Sequence, residues 1–346
     1  MLSPSPSDTR EFSLFLHALT TRSQAGHIPS REEILFLLGL EPESPEVELL
    51  CRQADIMAKK VTNGIGRIWS AVGIDRRLCS MSCDFCSFGE KWGLIDGDSE
   101  WSAEDVVQTA RRSVQDGASW VTLRTTEFYS TSRLIELVRQ IRKAVPGKYA
   151  LVVNTGELDL EKARSLHEAG VTGVYHTLRL GEGTNTRFAP EVRLQTLAAV
   201  RDSPLELYHM AEPLGPEHTN GDIADRLLIA HEYGASLSGV MARINVKGTP
   251  FEGSTPVSEA RISQITAISR ICGGSTIRDI CVVPPSVRSL CSGANAVTVE
   301  VGAIPRSEHT EQRKAWNNFD VAQAGEMLRQ SGYKTPLQTC KEPYHG

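Results

Sequence analysis

From about residue 65 onward, short runs rich in β-branched and aromatic residues alternate with amphipathic helical stretches, and this alternation constrains the fold more than any other feature. Strands separated by such helices run parallel, because each helix crosses back over the sheet. The predicted strands are residues 68–73, 120–124, 149–154, 173–178, 205–209, 239–244, 276–282 and 296–300. The predicted helices include residues 103–116, 131–145, 160–169, 190–201, 223–233, 257–271 and 287–291. Eight such strands predict a complete (β/α)8 barrel of the TIM type.

The first sixty residues lack this alternation and are predicted to be helical. Residues 10–21 carry apolar side chains at helical spacing, Ser30 and Glu33 form a capping box before an apolar run, and a third helix is predicted over residues 45–61. We therefore expect three regions, namely an N-terminal helical extension over residues 1–64, the barrel over residues 65–335 and a short tail over residues 336–346.

The composition is that of an ordinary globular protein, with 23% charged and 40% hydrophobic residues in a chain of 346. The net charge of −5 offers no electrostatic basis for binding nucleic acid or an anionic membrane. The N-terminus is polar and proline-rich, unlike a secretion signal, and no stretch is apolar for long enough to span a bilayer. Eight cysteines, three of them clustered, fit metal ligation in a reducing cytoplasm better than a disulfide framework. We expect a cytoplasmic protein.

The clustered cysteines are Cys79, Cys83 and Cys86, in the run CSMSCDFC directly after the first predicted strand. A structural zinc site or an electron-transferring iron–sulfur cluster normally takes four protein ligands, and no fourth cysteine or histidine stands beside these three. Three thiolates in one short loop therefore indicate a cubane cluster with one iron open to a small molecule. A zinc knuckle completed by a distant residue, or three unrelated thiols, are the alternatives.

This cysteine spacing, with the aromatic Phe85 before the last cysteine, resembles the signature of the radical S-adenosylmethionine (SAM) superfamily. The resemblance implies a [4Fe–4S] cluster on the three cysteines, with SAM on the open iron and reductive cleavage of SAM to a 5′-deoxyadenosyl radical. It also implies that Phe85 packs against the adenine, with a role as a loop anchor as the alternative. The fold implied is a complete radical SAM barrel.

The resemblance places further SAM contacts at the strand ends, where such barrels carry their active sites. After the second strand, Thr126 and Glu127 lie where the superfamily often has a Gly-Gly-Glu segment that receives the SAM amino group; a solvated glutamate is the alternative. After the fourth strand, Arg179 and Glu182 resemble the SAM-binding pair of hydrogenase maturases and methylornithine synthases. Arg179 would engage the carboxylate of SAM, and Glu182 a ribose hydroxyl or the amino group.

Other strand ends carry polar residues that could reach a ligand. Asn154 follows the third strand, and Glu212 lies in a segment after the fifth that resembles the one beside the adenine. His209 and Glu212 could instead contact substrate, although His209 could equally be a structural histidine. Arg243 and Asn245 belong to the end of the sixth strand, which resembles the matching segment of biotin synthase.

The helical extension, the cysteine loop, residues 247–250 (KGTP) and residues 291–296 (CSGANA) together resemble the biotin synthase group over nearly the whole chain. Biotin synthase itself holds a second, [2Fe–2S] cluster through cysteines on successive strands and an arginine. Arg278 falls where that arginine would be, but the matching strands here carry no cysteine. We therefore predict that the chain is not a biotin synthase.

Four further cysteines lie in the last quarter of the chain and could converge on a second iron–sulfur cluster: Cys272, Cys281, Cys291 and Cys340. Such a cluster could donate sulfur, as one is thought to do in lipoyl synthesis. The alternative is that Cys281 and Cys291 are small buried residues of the last strand and helix.

Three hypotheses for the function follow. The first is a transferase-type radical SAM enzyme that inserts sulfur, acting on a small-molecule or protein-bound acyl substrate with a second cluster. The second is carbon-skeleton rearrangement or metallocofactor maturation on a small amino acid or thiol, with one cluster. The third is a non-catalytic cluster carrier. Either enzyme would need a reductant such as flavodoxin or ferredoxin, and we expect neither nucleic acid nor membrane as a partner.

Overall fold

The computed structural model describes residues 9–304 and 319–335, and its eight barrel strands form one parallel sheet that closes on itself. The first strand pairs with both the second and the eighth, which is what closes the barrel. In chain order the strands are Arg67–Gly73, Trp120–Arg124, Ala150–Asn154, Gly173–Tyr175, the two-part strand Glu206–Tyr208 and Ala211–Leu214, Ala235–Ala242, Asp279–Val283 and Ala296–Gly302. The predicted (β/α)8 barrel is confirmed.

Helices precede the barrel and lie between its strands. They are Thr9–Gln24, Arg31–Leu38, Pro45–Val61, Ala103–Gln115, Thr131–Ala144, Leu160–Ala169, Pro190–Arg201, Asn220–Glu232, Glu259–Gly273, Val287–Leu290 and Val321–Gln330. The sixth strand begins at Ala235, four residues before the predicted start. Gly239 lies inside this strand because the carbonyl oxygen of Cys281 passes so close that a Cβ on Gly239 would be 1.9 Å from it.

The interior of the barrel is filled by side chains that alternate along the strands. Trp69, Trp120 and Tyr208 meet edge-to-face, with ring centroids 5.7 to 6.2 Å apart. The same inner cluster contains Val152, Met210, Leu237, Cys281, Val283 and Ala296. Alternate strand residues such as Ile68 and Val72 face outward and pack in the larger core between barrel and helices. The aromatic cluster therefore forms the floor of any cavity that opens at the carboxyl ends of the strands.

The N-terminal helices cover Glu259–Gly273, the helix that precedes the seventh strand. Every residue of that helix from Ala260 to Gly273 except Arg261 is buried, including several polar ones. Gln264 is satisfied because its side-chain amide donates to the carbonyl oxygens of Leu37 (2.8 Å) and Leu40 (2.9 Å). The predicted capping box is present, with Glu33 N–H donating to Ser30 Oγ and Ser30 N–H donating to the carboxylate of Glu33. Within the described part of the chain, no helix combines the length and apolarity needed to cross a membrane.

Candidate active site

The cysteine loop leaves the first strand and folds back on itself through backbone hydrogen bonds. Cys79 N–H donates to the carbonyl oxygen of Phe88 (2.8 Å), and Cys86 N–H donates to that of Cys83 (3.0 Å). The short 3-10 helix Glu90–Trp92 closes the loop, and the indole N–H of Trp92 donates to the carbonyl oxygen of Cys83 (3.2 Å). All three cysteines line one cavity at the carboxyl ends of the strands, and Phe85 lines it as well.

This loop is attached to the loop that follows the fourth strand. Asp84 N–H donates to the carbonyl oxygen of Asn185 (2.9 Å), and the Asn185 amide donates back to the Asp84 carboxylate (3.2 Å). Arg187 Nη1 donates to the carbonyl oxygen of Ser80 (3.0 Å). Residues 84–86 and 179–187 are thereby held together, which places Arg179 on the same cavity as the cysteines.

The thiols lie in surroundings that disfavour their ionised forms. Burial raises the pKa of Cys83 to about 12 and that of Cys86 to about 11, and it also raises the pKa of Cys79. The guanidinium of Arg179 opposes this rise at all three cysteines. Thiolates in such a site form when a metal replaces the proton.

Three cysteines can serve two kinds of metal site, which differ in how their ligands are arranged. Among residues 9–304 and 319–335, no three His, Cys, Asp or Glu side chains converge closely enough to ligate a single ion. A mononuclear zinc site needs four ligands at one point, whereas the thiolates of a cubane bind different iron atoms and surround a larger group. All three cysteines line one cavity, as a cubane held by three thiolates requires.

At the end of the second strand, Thr126 is held in place by two hydrogen bonds to Asp75. Its backbone N–H donates to Asp75 Oδ1 (2.8 Å), and its hydroxyl donates to Asp75 Oδ2. Glu127 follows on the cavity wall, where burial raises the pKa of its carboxyl group. Gly156 allows this arrangement, since a Cβ there would lie 2.1 Å from the carbonyl oxygen of Glu127. Thr126, Glu127 and Asp75 all line the cavity, and Asp75 was not among the residues predicted from the sequence.

Arg179 and Glu182 have different positions from those predicted for a SAM-binding pair. Arg179 lines the cavity, and its Nη1 is buried with no hydrogen-bond partner among the described residues. Glu182 does not line the cavity, and its side chain is fully buried. Its carboxylate accepts from the backbone N–H of Arg179 (3.0 Å) and from the Thr186 hydroxyl (2.5 Å). The prediction that Glu182 contacts the cofactor is therefore wrong, because these internal donors turn it into a support for the Arg179 loop.

A second arginine, Arg193, reaches the cavity from helix Pro190–Arg201 and was not predicted. It pairs with Glu157 (2.7 Å) and Glu182 (3.4 Å) and donates to the carbonyl oxygen of Thr177 (3.0 and 3.2 Å). The guanidinium groups of Arg193 and Arg179 both lie near the ring of Phe188, 5.1 and 5.2 Å from its centroid. The sequence did offer one indication that Arg193 is buried, namely its helical spacing from Thr196, Leu197 and Val200, which are buried on the same helix.

The inner end of the cavity lies against the aromatic floor. Tyr175 packs edge-to-face on Trp69, with centroids 5.2 Å apart, and its hydroxyl donates to the carboxylate of Glu212. Both residues line the cavity, as do Met210, Met241, Val283 and Thr298. Asn154 also lines it and donates to the carbonyl oxygen of Tyr175 (3.0 Å). Glu212 and Asn154 thus both line the cavity, and their contact with the cofactor stays a prediction.

Arg243 and Asn245, which were predicted to reach a ligand, are engaged by other residues of the chain. Arg243 lines the cavity but is engaged by Glu217 (3.1 Å to Nη2) and lies 3.7 Å from the ring centroid of Phe251. Asn245 does not line the cavity, because its amide bonds to Ser254 and its carbonyl oxygen accepts from Arg243.

His209 and Arg278 do not line the cavity either. His209 is completely buried beside Thr177, with Nε2 3.3 Å from the hydroxyl, so the structural alternative holds. Arg278 precedes the seventh strand at its amino end, opposite the cavity, and so cannot serve there.

The remaining cysteines do not converge. Cys281 lies inside the barrel with its sulfur 3.3 Å from the Thr298 hydroxyl, and Cys272 is buried between outer helices. Cys291 is exposed at the end of helix Val287–Leu290. The prediction that these three share a second cluster is therefore wrong, because they occupy different layers of the fold. Cys340 lies outside the described residues.

Comparison with known proteins adds to this geometry. No family model matches the chain. It is 24% identical over 281 residues to the biotin synthase of Persephonella marina, covering 76% of this chain and 82% of that one. It is 25% identical over 335 residues to the biotin synthase of Rippkaea orientalis, covering 86% of each. These similarities support the radical SAM superfamily and its biotin synthase-like group.

Solved structures agree with this radical SAM fold. The crystal structure of methylornithine synthase superposes with a TM-score of 0.77 at 15% identity, over 93% of this chain and 99% of that one. The FeFe-hydrogenase maturase from Carboxydothermus hydrogenoformans superposes with a TM-score of 0.74 at 14% identity, over 94% and 80% of the two chains. At such identities the likeness concerns the fold.

The cofactors of this radical SAM group are a [4Fe–4S] cluster and SAM. The residues present fit both. Three cysteines on one loop line a cavity without a fourth thiol or imidazole among the described lining residues. The donor atom Nη1 of Arg179, on the same cavity, lies 3.6 Å from the Glu182 carboxylate and is buried without a hydrogen-bond partner among the described residues. A buried guanidinium donor in that position suits the carboxylate of a bound amino acid.

Proposed function

We propose that this radical SAM enzyme holds its [4Fe–4S] cluster through Cys79, Cys83 and Cys86 and abstracts a hydrogen atom from a small molecule bound in the barrel. When bound, the cluster and SAM supply the 5′-deoxyadenosyl radical that performs this abstraction. The observation that carries the proposal is that all three cysteines, Arg179 and Glu127 line one cavity at the carboxyl ends of the strands.

The chain's own residues divide the binding of SAM between them. Arg179 receives the carboxylate of SAM through Nη1, which has no hydrogen-bond partner among the described residues, and Glu127 receives the amino group. Phe85 supplies an apolar face for the adenine, while Thr126 and Asn154 offer polar groups to the nucleoside. Asp75 and Arg193 hold these segments in place without needing to contact SAM.

A reaction that uses a single cluster fits this chain better than sulfur insertion. The inner barrel positions are occupied by Trp69, Trp120 and Tyr208, and the described cysteines outside the loop lie apart from one another. Carbon-skeleton rearrangement or metallocofactor maturation on a small amino acid or thiol is therefore the first candidate reaction. It uses a one-electron donor such as flavodoxin or ferredoxin. Sulfur insertion on a small or protein-bound acyl group is the second candidate.

The test is to reconstitute the protein anaerobically, count its iron and sulfide, and measure 5′-deoxyadenosine after adding SAM and dithionite. We expect about four irons per chain and release of 5′-deoxyadenosine. Cys83→Ala should lose both, whereas Cys291→Ala, at an exposed cysteine, should retain both.

Each contrary result has a distinct meaning. A full cluster without 5′-deoxyadenosine release would favour the non-catalytic carrier. Additional iron that disappears in Cys281→Ala would favour a second cluster and sulfur insertion. Retained cleavage in Cys83→Ala would refute the assignment of the cluster ligands.

A further inference from the structure

We propose that Glu157 is a positioning residue for bound SAM, which acts through Arg193 on Arg179 without contacting SAM itself. Glu157 is not among the described residues that line the cavity. The inference rests on the proposed function, because that function assigns the carboxylate of SAM to Arg179. It adds that the negative charge of Glu157 keeps Arg179 in place to receive that carboxylate.

The carboxylate of Glu157 has one cationic partner. Its oxygens lie 2.7 Å from Arg193 Nη1 and 3.3 Å from His176 Nε2, and one of them accepts from the Thr196 hydroxyl. Burial raises the pKa of Glu157, but its contacts with His176 and Arg193 outweigh burial and lower the pKa to about 2. Burial lowers the pKa of His176 to about 4, so this ring is neutral in neutral solution. The negative charge of Glu157 therefore balances the positive charge of Arg193.

Arg193 and Arg179 share a second carboxylate, that of Glu182. Arg193 Nε lies 3.4 Å and Arg179 Nη1 lies 3.6 Å from its oxygens, and both guanidinium groups lie near the ring of Phe188. The side chains of Glu182 and Arg193 are both buried. One carboxylate cannot balance two guanidinium groups, and a buried charge without a partner is strongly unfavourable. Glu157 supplies the second negative charge, so that Glu182 does not have to serve Arg193 alone.

Removal of the charge of Glu157 would redistribute these contacts. Glu182 would then be the carboxylate that balances Arg193, and it would be drawn toward that guanidinium. The same carboxylate of Glu182 accepts from the backbone N–H of Arg179 (3.0 Å), so its movement displaces the residue that carries the SAM-binding guanidinium. Because charge-assisted hydrogen bonds depend on geometry, the expected defect falls on the carboxylate of SAM.

The probes are SAM and decarboxylated SAM, which lacks only the carboxylate. Their binding to the anaerobically reconstituted protein is measured by equilibrium dialysis, beside iron content and 5′-deoxyadenosine release from SAM. The variant is Glu157→Gln, which keeps the shape of the side chain and removes its charge. Asp279→Asn is the matched control, because Asp279 is a buried carboxylate that accepts from Asn295 (2.7 Å) and lies 3.2 Å from Arg67. It lies at the amino end of the seventh strand, opposite the cavity.

We expect the wild type to bind SAM at least about tenfold more tightly than decarboxylated SAM, because loss of a hydrogen bond between charged groups corresponds to about tenfold or more in affinity. Glu157→Gln should reduce this preference to about threefold or less, since the displaced guanidinium forms that bond poorly. Asp279→Asn should lower the free energy of unfolding and leave the preference unchanged. A general loss of structure would weaken the binding of both probes equally, so the preference separates positioning from stability.

An unchanged preference in folded, cluster-containing Glu157→Gln would overturn the inference, as would an equal loss of preference in Asp279→Asn. Equal binding of both probes by the wild type, or absence of 5′-deoxyadenosine release from it, would instead refute the proposed function and the inference with it. Should Glu157→Gln fail to fold, Thr196→Val decides, because it removes only the hydroxyl donor to Glu157. It should lower the preference by about two- to threefold, and an unchanged preference there would overturn the inference.

Discussion

The carboxylate of Asp75 accepts two hydrogen bonds from Thr126, one from the backbone amide at 2.8 Å and one from the hydroxyl. This contact joins the chain that leaves the first strand to the end of the second strand. Arg77 lies 3.5 Å from the same carboxylate. The base of the cysteine loop and the wall that carries Glu127 are therefore positioned together.

Asp75→Ala should loosen this junction. We expect the free energy of unfolding to fall by about 1–3 kcal/mol, because a buried backbone N–H and a hydroxyl lose their acceptor. SAM affinity should also fall several-fold, since the Thr126–Glu127 segment loses its anchor. Urea denaturation and SAM binding by the reconstituted protein check both effects, with the exposed Asp96→Ala as control. Unchanged SAM affinity would show that Glu127 is held by other contacts.

Arg193→Met should be strongly destabilising. The change removes the buried cationic partner of Glu157 and Glu182 and a donor to the carbonyl oxygen of Thr177, and loss of one partner of a buried ion pair typically costs about 3–5 kcal/mol. The position of Phe188, and with it Arg179, should shift as well. Thermal denaturation measures the first effect, and the SAM dissociation constant of Arg193→Lys, which keeps the charge, measures the second. A stable Arg193→Met protein would contradict the proposed supporting role.

Arg270→Met tests a buried arginine remote from the cavity. Arg270 is completely buried and donates to the carbonyl oxygens of Gly293 and Arg278 (both 2.8 Å) and to the Asn295 side chain (2.7 Å). We expect a loss of about 2–4 kcal/mol in unfolding free energy, because these acceptors lose their partner.

The surface control is Arg288→Met, which breaks only the exposed pair with Glu43. It should cost about 0.5 kcal/mol or less by urea denaturation. Equal losses in the two variants would mean that the buried contacts of Arg270 contribute nothing net.

Stability should fall on mild acidification because His209 is buried in its neutral form. Burial lowers the pKa of His209 to about 3, below the 6.5 of an unfolded histidine. As the pH falls through 6.5, His209 binds a proton in the unfolded chain but stays neutral in the folded chain. The free energy of unfolding that His209 contributes above pH 6.5 is therefore lost progressively toward pH 3. Between pH 7.5 and 5.5 this loss amounts to about 1–1.5 kcal/mol.

The measurement is the free energy of unfolding in urea at these two pH values. His209→Gln should reduce the pH dependence by about that amount, while the exposed His167→Gln should not. An identical dependence in His209→Gln and wild type would refute the argument.

Local patterns in the sequence were sufficient to predict the barrel. The alternation of strand and helix periodicity predicted all eight strands, and helices such as Leu160–Ala169 and Pro190–Arg201 end where expected. The place of Cys79, Cys83 and Cys86 after the first strand predicted that they lie at the carboxyl ends of the strands, where the structure has them on one cavity. These features succeed because they depend on neighbours in the chain and on the general rule that barrel sites form at strand ends.

Only the tertiary structure decided which side chains reach the cavity. Glu182, which was predicted to contact the cofactor, is enclosed by internal donors instead. Arg193, which was not predicted, reaches the cavity from a helix. Cys272, Cys281 and Cys291 were separated into different layers, and Tyr175 was brought against Glu212 from another strand. The direction of a side chain at a strand end depends on contacts with residues far away in sequence, which no local pattern records. The sequence by itself thus determined the position of the cysteine loop after the first strand, whereas only the tertiary structure decided which side chains surround it.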